Sequence, residues 1–219
     1  MNKEEYCDEI ALIKEQNNVE LEIYPLVSEL IAPTLTGLSK RYVFARRLSE
    51  LGQIYYGISS FPDIAIVDRD FKNEKHKEIK GENWKKLRGC VEVKAYNNLL
   101  YNLDTLKKYI DHNSKSSLSK FQLQEVSQLI GEILWYKNVL YTNGVQWKLF
   151  KFNSWLEYEK IIIDLVKSRI NKTLSDDWWK SKSIKTIFDE KIEEIVISEN
   201  CSNDWDNFNE NIKKLSWGK

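Results

Sequence analysis

The hydrophobic and polar positions of the first third of the chain predict two helices followed by strands. Residues 3–16 carry apolar side chains three to four positions apart, which is typical of a helix with one buried face. Residues 19–33 continue the same helical spacing and end at a proline. Residues 40–56 fit either strands or a helix between strands, and we favour strands because β-branched and aromatic residues are frequent there.

Two apolar runs in the middle of the chain predict strands that flank a charged loop. Residues 62–67 are β-branched and begin with a proline, which a strand tolerates at its first position. Residues 89–96 alternate valines with a glutamate and a lysine, so we expect a strand with one buried face. Between them, residues 69–88 hold eight bases and four acids. We interpret them as a long hairpin loop or an exposed edge.

The second half of the chain predicts a long helix, a hairpin and further helices. Residues 121–137 have the clearest helical spacing of apolar residues. Two alternating runs then surround Asn143 and Gly144, a pair that strongly favours a tight hairpin turn. From residue 153 onwards we expect helices, and five of the eight tryptophans lie in this part. Packing in the core is the favoured role for these tryptophans, ahead of stacking on nucleic-acid bases.

This order of elements predicts an α/β (α+β) protein with a central mixed β-sheet flanked by helices. We expect residues 1–152 to form the core with its N-terminal helices. Residues 153–219 are expected to form a mostly helical, tryptophan-rich extension packed on that core.

The composition is that of a globular chain. Its 219 residues are 42% hydrophobic and include only three prolines and eight glycines, which excludes disordered and fibrous classes. No apolar stretch is long enough to cross a bilayer, and the first residues lack the pattern of a secretory signal, so we expect a cytoplasmic protein with no membrane partner. Three widely spaced cysteines predict neither a disulfide framework nor a zinc ribbon.

The charge of the chain balances overall but not locally. Its 33 basic and 33 acidic residues cancel, yet residues 1–32 have a net charge of −6 and residues 175–219 one of −3. Residues 33–174 therefore carry +9. A basic central segment suits a nucleic-acid partner, although uneven charge is also ordinary in a chain this polar.

Candidate chemistry comes from Asp63, Glu92 and Lys94. Asp63 stands at the head of one predicted strand, and Glu92 and Lys94 share one face of another. If the strands pair, two carboxylates and an ammonium group meet, and carboxylates with water and phosphate oxygens suit Mg²⁺. Such an ion polarises a phosphoryl oxygen and activates water. A Glu-x-Lys pair is also common on the solvated face of a strand.

These residues, with the helix that follows and the Asn-Gly hairpin, resemble the PD-(D/E)XK (restriction-endonuclease-like) nuclease superfamily. The arrangement is most similar to the nuclease domain of type I restriction enzyme motor subunits and their stand-alone relatives, over residues 20–150. The resemblance implies a metal-dependent deoxyribonuclease of restriction, phage defence or mobile-element biology. It would hydrolyse DNA phosphodiester bonds with Mg²⁺, or Mn²⁺ as a substitute.

The resemblance also implies roles for individual residues. Asp63, Glu92 and the Val93 backbone carbonyl would bind the metal, and Lys94 would position the attacking water. A glutamine on the following helix would orient the lysine or contact phosphate; Gln128 is the choice and Gln124 the rival. A glutamate on the first helix of the family pattern would be a further ligand, either Glu22 or Glu29.

Two further expectations concern partners. Lys85, Lys86 and Arg88 in the charged loop are candidates for contacts with the DNA backbone, or ordinary solvated residues. Cleavage of both strands of a duplex needs two sites, so a homodimer is expected. The alternative function is that of a catalytically inactive nuclease-fold protein that binds nucleic acid or protein.

Overall fold

A computed structural model describes residues 1–43, 52–72, 82–111 and 119–218 of the chain. Within them lie eight α-helices: α1 (Lys3–Gln16), α2 (Glu20–Ile31), α3 (Gln53–Tyr56), α4 (Leu103–Ile110), α5 (Lys120–Tyr136), α6 (Glu159–Ile170), α7 (Lys182–Glu190) and α8 (Trp205–Lys213). The six strands are β1 (Leu38–Tyr42), β2 (Ile64–Asp68), β3 (Leu87–Val93), β4 (Asn138–Thr142), β5 (Trp147–Phe152) and β6 (Ile192–Ser198). Short 3₁₀ turns lie at Ala32–Thr34, Asn83–Lys86, Trp155–Tyr158 and Trp178–Lys180.

The strands form one open sheet in chain order, from β1 at one edge to β6 at the other. Neighbouring strands are antiparallel except β3 and β4, which run parallel. A parallel pair needs a long crossover connection. Helices α4 and α5 lie in that connection, and α5 packs against β3, β4 and β5.

Helices cover both faces of the sheet, and each face has its own hydrophobic cluster. One cluster joins α1, α2 and α8 to alternate strand residues such as Ile64, Ile66 and Val91. The other joins α4, α5, α6 and α7 to intervening residues such as Ala65 and Cys90. This alternation follows from the period of two along a strand and produces three layers.

The fold class predicted from the sequence is confirmed as mixed α/β, with a largely antiparallel sheet between helices. The first helix ends where its apolar spacing predicts, and α5 differs from its predicted bounds by one residue at each end. The charged loop joins antiparallel strands β2 and β3, as a hairpin connection does. The hairpin at Asn143 and Gly144 joins β4 and β5.

Two predictions about secondary structure are wrong. Residues Ile192–Ser198 were expected to be helical, but they form edge strand β6. Their β-branched residues pair with β5, and this tertiary pairing outweighs the helical preference of the adjoining glutamates. Residues Gln53–Tyr56, expected in a strand, form the short helix α3. Trp135 and Tyr136 of α5 donate side-chain hydrogen bonds to carbonyl oxygens of α3. Residues 44–51 of the same ambiguous run lie outside the described part.

Residues 153–218 are mostly helical, but they also complete the sheet. The predicted boundary after residue 152 falls between the paired strands β5 and β6. The five tryptophans of this part are all buried, in one or other hydrophobic cluster: Trp155, Trp178, Trp179, Trp205 and Trp217. Their predicted role in core packing is therefore confirmed. None of the described helices combines the length and apolar character that a membrane crossing requires.

Candidate functional site

The pairing of β2 with β3 brings Asp63, Glu92 and Lys94 to one end of the sheet. Ile64 pairs with Val91, so Asp63, which directly precedes β2, lies beside the last residues of β3. The Val93 backbone N–H donates to Asp63 Oδ2 at 2.7 Å. Lys94 Nζ donates to Glu92 Oε1 at 2.8 Å, because residues two apart on an extended chain share a face.

Helix α5 adds an amide and a third carboxyl group to this end of the sheet. Gln128 Nε2 donates to Glu92 Oε1 at 2.8 Å and to Glu132 Oε1 at 3.1 Å. Gln128 and Glu132 are four residues apart, so they lie on the same face of the helix. The rival glutamine, Gln124, is exposed and lines the adjoining cleft.

The close approach of α5 depends on Gly131. A Cβ atom at Gly131 would lie 2.0 Å from Ser59 Oγ, which is far inside van der Waals contact. The Ser59 hydroxyl donates to the Gln128 carbonyl oxygen at 3.3 Å. Because Gly131 has no side chain, α5 can pack closely against the segment before β2, and this brings Gln128 within reach of Glu92.

Two of the carboxyl groups are buried without full hydrogen bonding. Glu92 is 3% exposed and Glu132 is 1% exposed. Both donors to Glu92 use Oε1, and Oε2 of Glu92 and Oε2 of Glu132 have no hydrogen-bond partner among the described residues. Burial of unsatisfied polar atoms is costly, so oxygens of this kind are typical of a functional site.

Burial and mutual repulsion shift the pKa values of these acids. Burial raises the pKa of Glu132 well above its usual range, and the charge of Glu92 adds to this. The same two causes raise the pKa of Asp63. Burial also raises the pKa of Glu92, against the opposing charge of Lys94. Burial would lower the pKa of Lys94, but the Glu92 carboxylate outweighs this and raises it, so the ammonium group stays charged.

Helix α2 supplies two further residues that the sequence did not single out. The Tyr24 hydroxyl donates to Asp63 Oδ1. Glu20, one turn earlier on the same face, lines a cleft together with Lys94 and Gln128. Its negative charge helps to raise the pKa of Lys94. The spacing of four between Glu20 and Tyr24 was visible in the sequence, but only the fold shows which face of α2 meets the site.

The two glutamates proposed for this helix lie elsewhere. Glu22 is exposed and accepts a hydrogen bond from Asn17 at 3.2 Å. Glu29 is exposed and lies 3.0 Å from the N-terminal amino group of Met1. Glu22 projects from a different side of α2 than Glu20 because successive helical residues are about 100° apart. Glu20 therefore replaces both as the glutamate of α2 nearest the site.

A cleft of about 900 Å³ opens on this cluster. We call it the charged cleft, and its charged lining residues are Glu20, Lys94, Lys120, Glu125, Asp176 and Asp177. Acids outnumber bases in this lining. Gln128 also lines it, and Glu92 lies directly behind Lys94 and Gln128 as their hydrogen-bond acceptor.

The three predicted DNA-contacting bases lie at the opposite end of β3, and each has an acidic partner. Arg88 donates to both carboxylate oxygens of Asp68, at 2.7 and 2.6 Å. Lys86 Nζ lies 2.6 Å from Asp70, and Lys85 Nζ lies 2.7 Å from Glu82. Lys94 lies six positions after Arg88 along the extended chain, which is a distance of roughly 20 Å. The structure does not bring these bases together with the carboxylate cluster.

Comparison of the chain with protein-family models, with curated proteins and with solved structures finds no match. In the described part of the chain, no group of three or more histidine, cysteine, aspartate or glutamate side chains is arranged to hold a metal ion. The function is therefore inferred from the geometry of the site: the carboxylates of Asp63 and Glu92, the charged Lys94 and the charged cleft.

Proposed function

We propose that the protein is an Mg²⁺-dependent DNA endonuclease of the restriction-endonuclease-like type, active in restriction, phage defence or mobile-element biology. The observation that carries the proposal is the convergence of Asp63, Glu92, Lys94 and Gln128 beside the charged cleft. Two acids, a lysine and a glutamine in this order are the set that the resemblance to PD-(D/E)XK nucleases implies.

The residues present fit a divalent cation. The charge of Glu92 raises the pKa of Asp63, so a nearby cation would favour the ionised forms of these acids, and buried Glu92 Oε2 has no hydrogen-bond partner in the described part of the chain. Mg²⁺ is commonly held by one or two carboxylates, with water and substrate phosphate as the other ligands, so a third protein carboxylate is not required. Asp63, Glu92 and the Val93 carbonyl would hold the ion, with Mn²⁺ as a substitute.

The side chains of the chain have separable roles in this mechanism. When bound, Mg²⁺ would supply Lewis acidity towards the phosphate and activate water as the nucleophile. Lys94, charged at neutral pH and lining the cleft, would hold the attacking water and offset the negative charge that develops on the phosphate. Gln128 fixes the orientation of Glu92, and Tyr24 fixes that of Asp63.

The test compares two aspartates that flank the same strand. Asp63→Asn removes a proposed metal ligand and should reduce Mg²⁺-dependent cleavage of supercoiled plasmid and single-stranded circular DNA by more than about 100-fold. Asp68→Asn, at the other end of β2, weakens the pair with Arg88 but should leave cleavage near the wild-type rate. The proposal fails if the wild type leaves both DNAs intact across a range of Mg²⁺ and Mn²⁺, or if Asp63→Asn cleaves normally.

A nuclease-fold protein that only binds nucleic acid or protein is the second candidate. The excess of acids over bases in the charged cleft favours the protein-binding form of this candidate, because such a lining repels the phosphates of nucleic acid unless a cation is bound. The same experiment separates the two functions. DNA binding that accompanies no cleavage with either metal would favour the binding protein.

A further inference from the structure

A second cleft of about 590 Å³ adjoins the charged cleft. Lys94, Phe121 and Glu125 line both clefts, so the two meet at the proposed phosphate-binding lysine. A volume of this size lies within the range of pockets that enclose small organic groups. We call it the aromatic cleft, after the four rings in its lining: Tyr101, Tyr109, Phe121 and Tyr141.

The rings of the aromatic cleft differ in how they are held. The Tyr101 and Tyr109 rings pack edge to face, 6.2 Å apart. Tyr141 is buried in β4 and forms part of the wall. Phe121, the second residue of α5, is 67% exposed. Three rings are therefore set in the wall, whereas the Phe121 ring is free to cover a flat ligand from one side.

The polar groups of this lining are mostly uncharged. Asn97, Asn98, Thr105 and Gln122 contribute amide and hydroxyl groups that can donate and accept hydrogen bonds. The charged members are Lys94 and Glu125, one of each sign. The charged cleft, by contrast, has an excess of acids. One cleft thus suits a cation with phosphate, and its neighbour suits a neutral, flat group with hydrogen-bonding edges.

We propose that the aromatic cleft binds the base of an unpaired nucleotide whose neighbouring phosphate lies at Lys94. A nucleobase has the flat faces that aromatic side chains stack on and the edges that amides recognise. Inside a duplex both faces of a base are already stacked, so only an unpaired or extruded base can enter. This inference rests on the proposed function, and it makes single-stranded or locally unpaired DNA the preferred substrate.

The test uses a short single-stranded oligonucleotide that contains one 2-aminopurine, a base whose fluorescence falls when it stacks. Titration with the full chain, with Ca²⁺ in place of Mg²⁺, should quench the probe, and the same sequence in a duplex should bind at least about ten-fold more weakly. Phe121→Ala should weaken binding of the single strand by about 5- to 100-fold. Phe121→Trp keeps a stacking ring and should restore the quenching.

Leu156→Ala is the matched control, because Leu156 is 75% exposed and lines neither cleft. It should bind as the wild type does. Equal binding of single strand and duplex, or unchanged quenching in Phe121→Ala, would overturn the proposal.

The outcome is separable from that of the nuclease proposal. Quenching that depends on Phe121 in a protein that cleaves no DNA would support the base site and reject the nuclease. Cleavage that depends on Asp63, with no effect of Phe121→Ala on binding or on the preference for single strands, would support the nuclease and reject the base site.

Discussion

The two ends of the β2–β3 pair carry similar residues in opposite electrostatic situations. At the carboxylate end, formed by Asp63, Glu92 and Lys94, two acids share one lysine. At the arginine end, Asp68 and Arg88 form a pair with two hydrogen bonds. At the first end, Oε2 of Glu92 is buried with no partner among the residues that the structure describes, whereas at the second end both carboxylate oxygens of Asp68 accept hydrogen bonds from Arg88.

This difference distinguishes a candidate functional site, the carboxylate end, from an ordinary charged surface, the arginine end. Ion pairs at the arginine end satisfy their own charges, so nothing in that geometry calls for a ligand. At the carboxylate end the fold keeps acids together although their charges repel and burial disfavours them. Such an arrangement is destabilising by itself and is typical of functional sites. Three predictions test whether the two ends differ in this way.

The largest expected effect is stabilisation by a divalent cation at the carboxylate end. Mg²⁺ or Ca²⁺ at about 100 times its dissociation constant should raise the free energy of unfolding by about 2.7 kcal/mol, since binding favours the folded state. Urea denaturation with and without the cation measures this rise. Glu92→Gln should abolish it, because the amide removes the charge at a proposed ligand.

Asp68→Asn is the control for the cation experiment, since it alters an acid on the same strand pair. It should keep the full stabilisation. An undiminished rise in Glu92→Gln, or no rise in the wild type, would show that the carboxylate end does not bind the cation.

The next effect is a pH dependence that arises from Glu132. Folding raises the pKa of this carboxyl group, chiefly through burial. Below its ordinary value of about 4.3 the group is protonated in both states and has no effect. As the pH rises further, the unfolded chain loses this proton first, so the free energy of unfolding falls with rising pH until the raised pKa is passed.

Glu132→Gln should remove this fall in the free energy of unfolding, because glutamine does not titrate. Urea denaturation without metal should find the variant and the wild type alike near pH 4, with the variant increasingly more stable towards neutral pH. Glu22→Gln, at an exposed glutamate, should follow the wild type throughout. A variant that is less stable than the wild type at every pH would mean that Glu132 has a purely structural role.

Part of the carboxylate end was accessible from the sequence because it depends on local patterns. Alternation placed Glu92 and Lys94 on one face, and the apolar spacing of α5 placed Gln128 on the helix that follows. Glu132 also left a signal, as a lone acid four residues after Gln128 in an otherwise apolar stretch. That signal identifies a buried acid but does not say what it contacts.

The remainder required the three-dimensional arrangement. Tyr24 and Glu20 reach the site only because α2 crosses the end of the sheet on the side opposite to α5. Edge strand β6 depends on pairing with β5, which its glutamate-rich sequence does not indicate. The acids that pair with the described bases of the charged loop were visible in the sequence, since Asp70 and Glu82 lie within residues 69–88 and Asp68 directly precedes them, but the pairing itself was not.

The smallest expected effect concerns that basic loop at the arginine end. Lys85 and Lys86 each lie within ion-pair distance of an acid, and both are partly exposed. Replacing both with alanine should change the affinity for single-stranded DNA by less than about two-fold, because exposed ion pairs contribute little and no phosphate contact is lost.

Titrations at several salt concentrations provide the sharper measurement. A lysine that binds phosphate contributes about 0.7 to the slope of log affinity against log salt on single strands, so loss of two such contacts would lower the slope by about 1.4. An unchanged slope would leave the charged cleft as the place where DNA is held. A slope that falls by the full amount would show that these lysines leave their acidic partners for DNA, and that the arginine end is a binding surface after all.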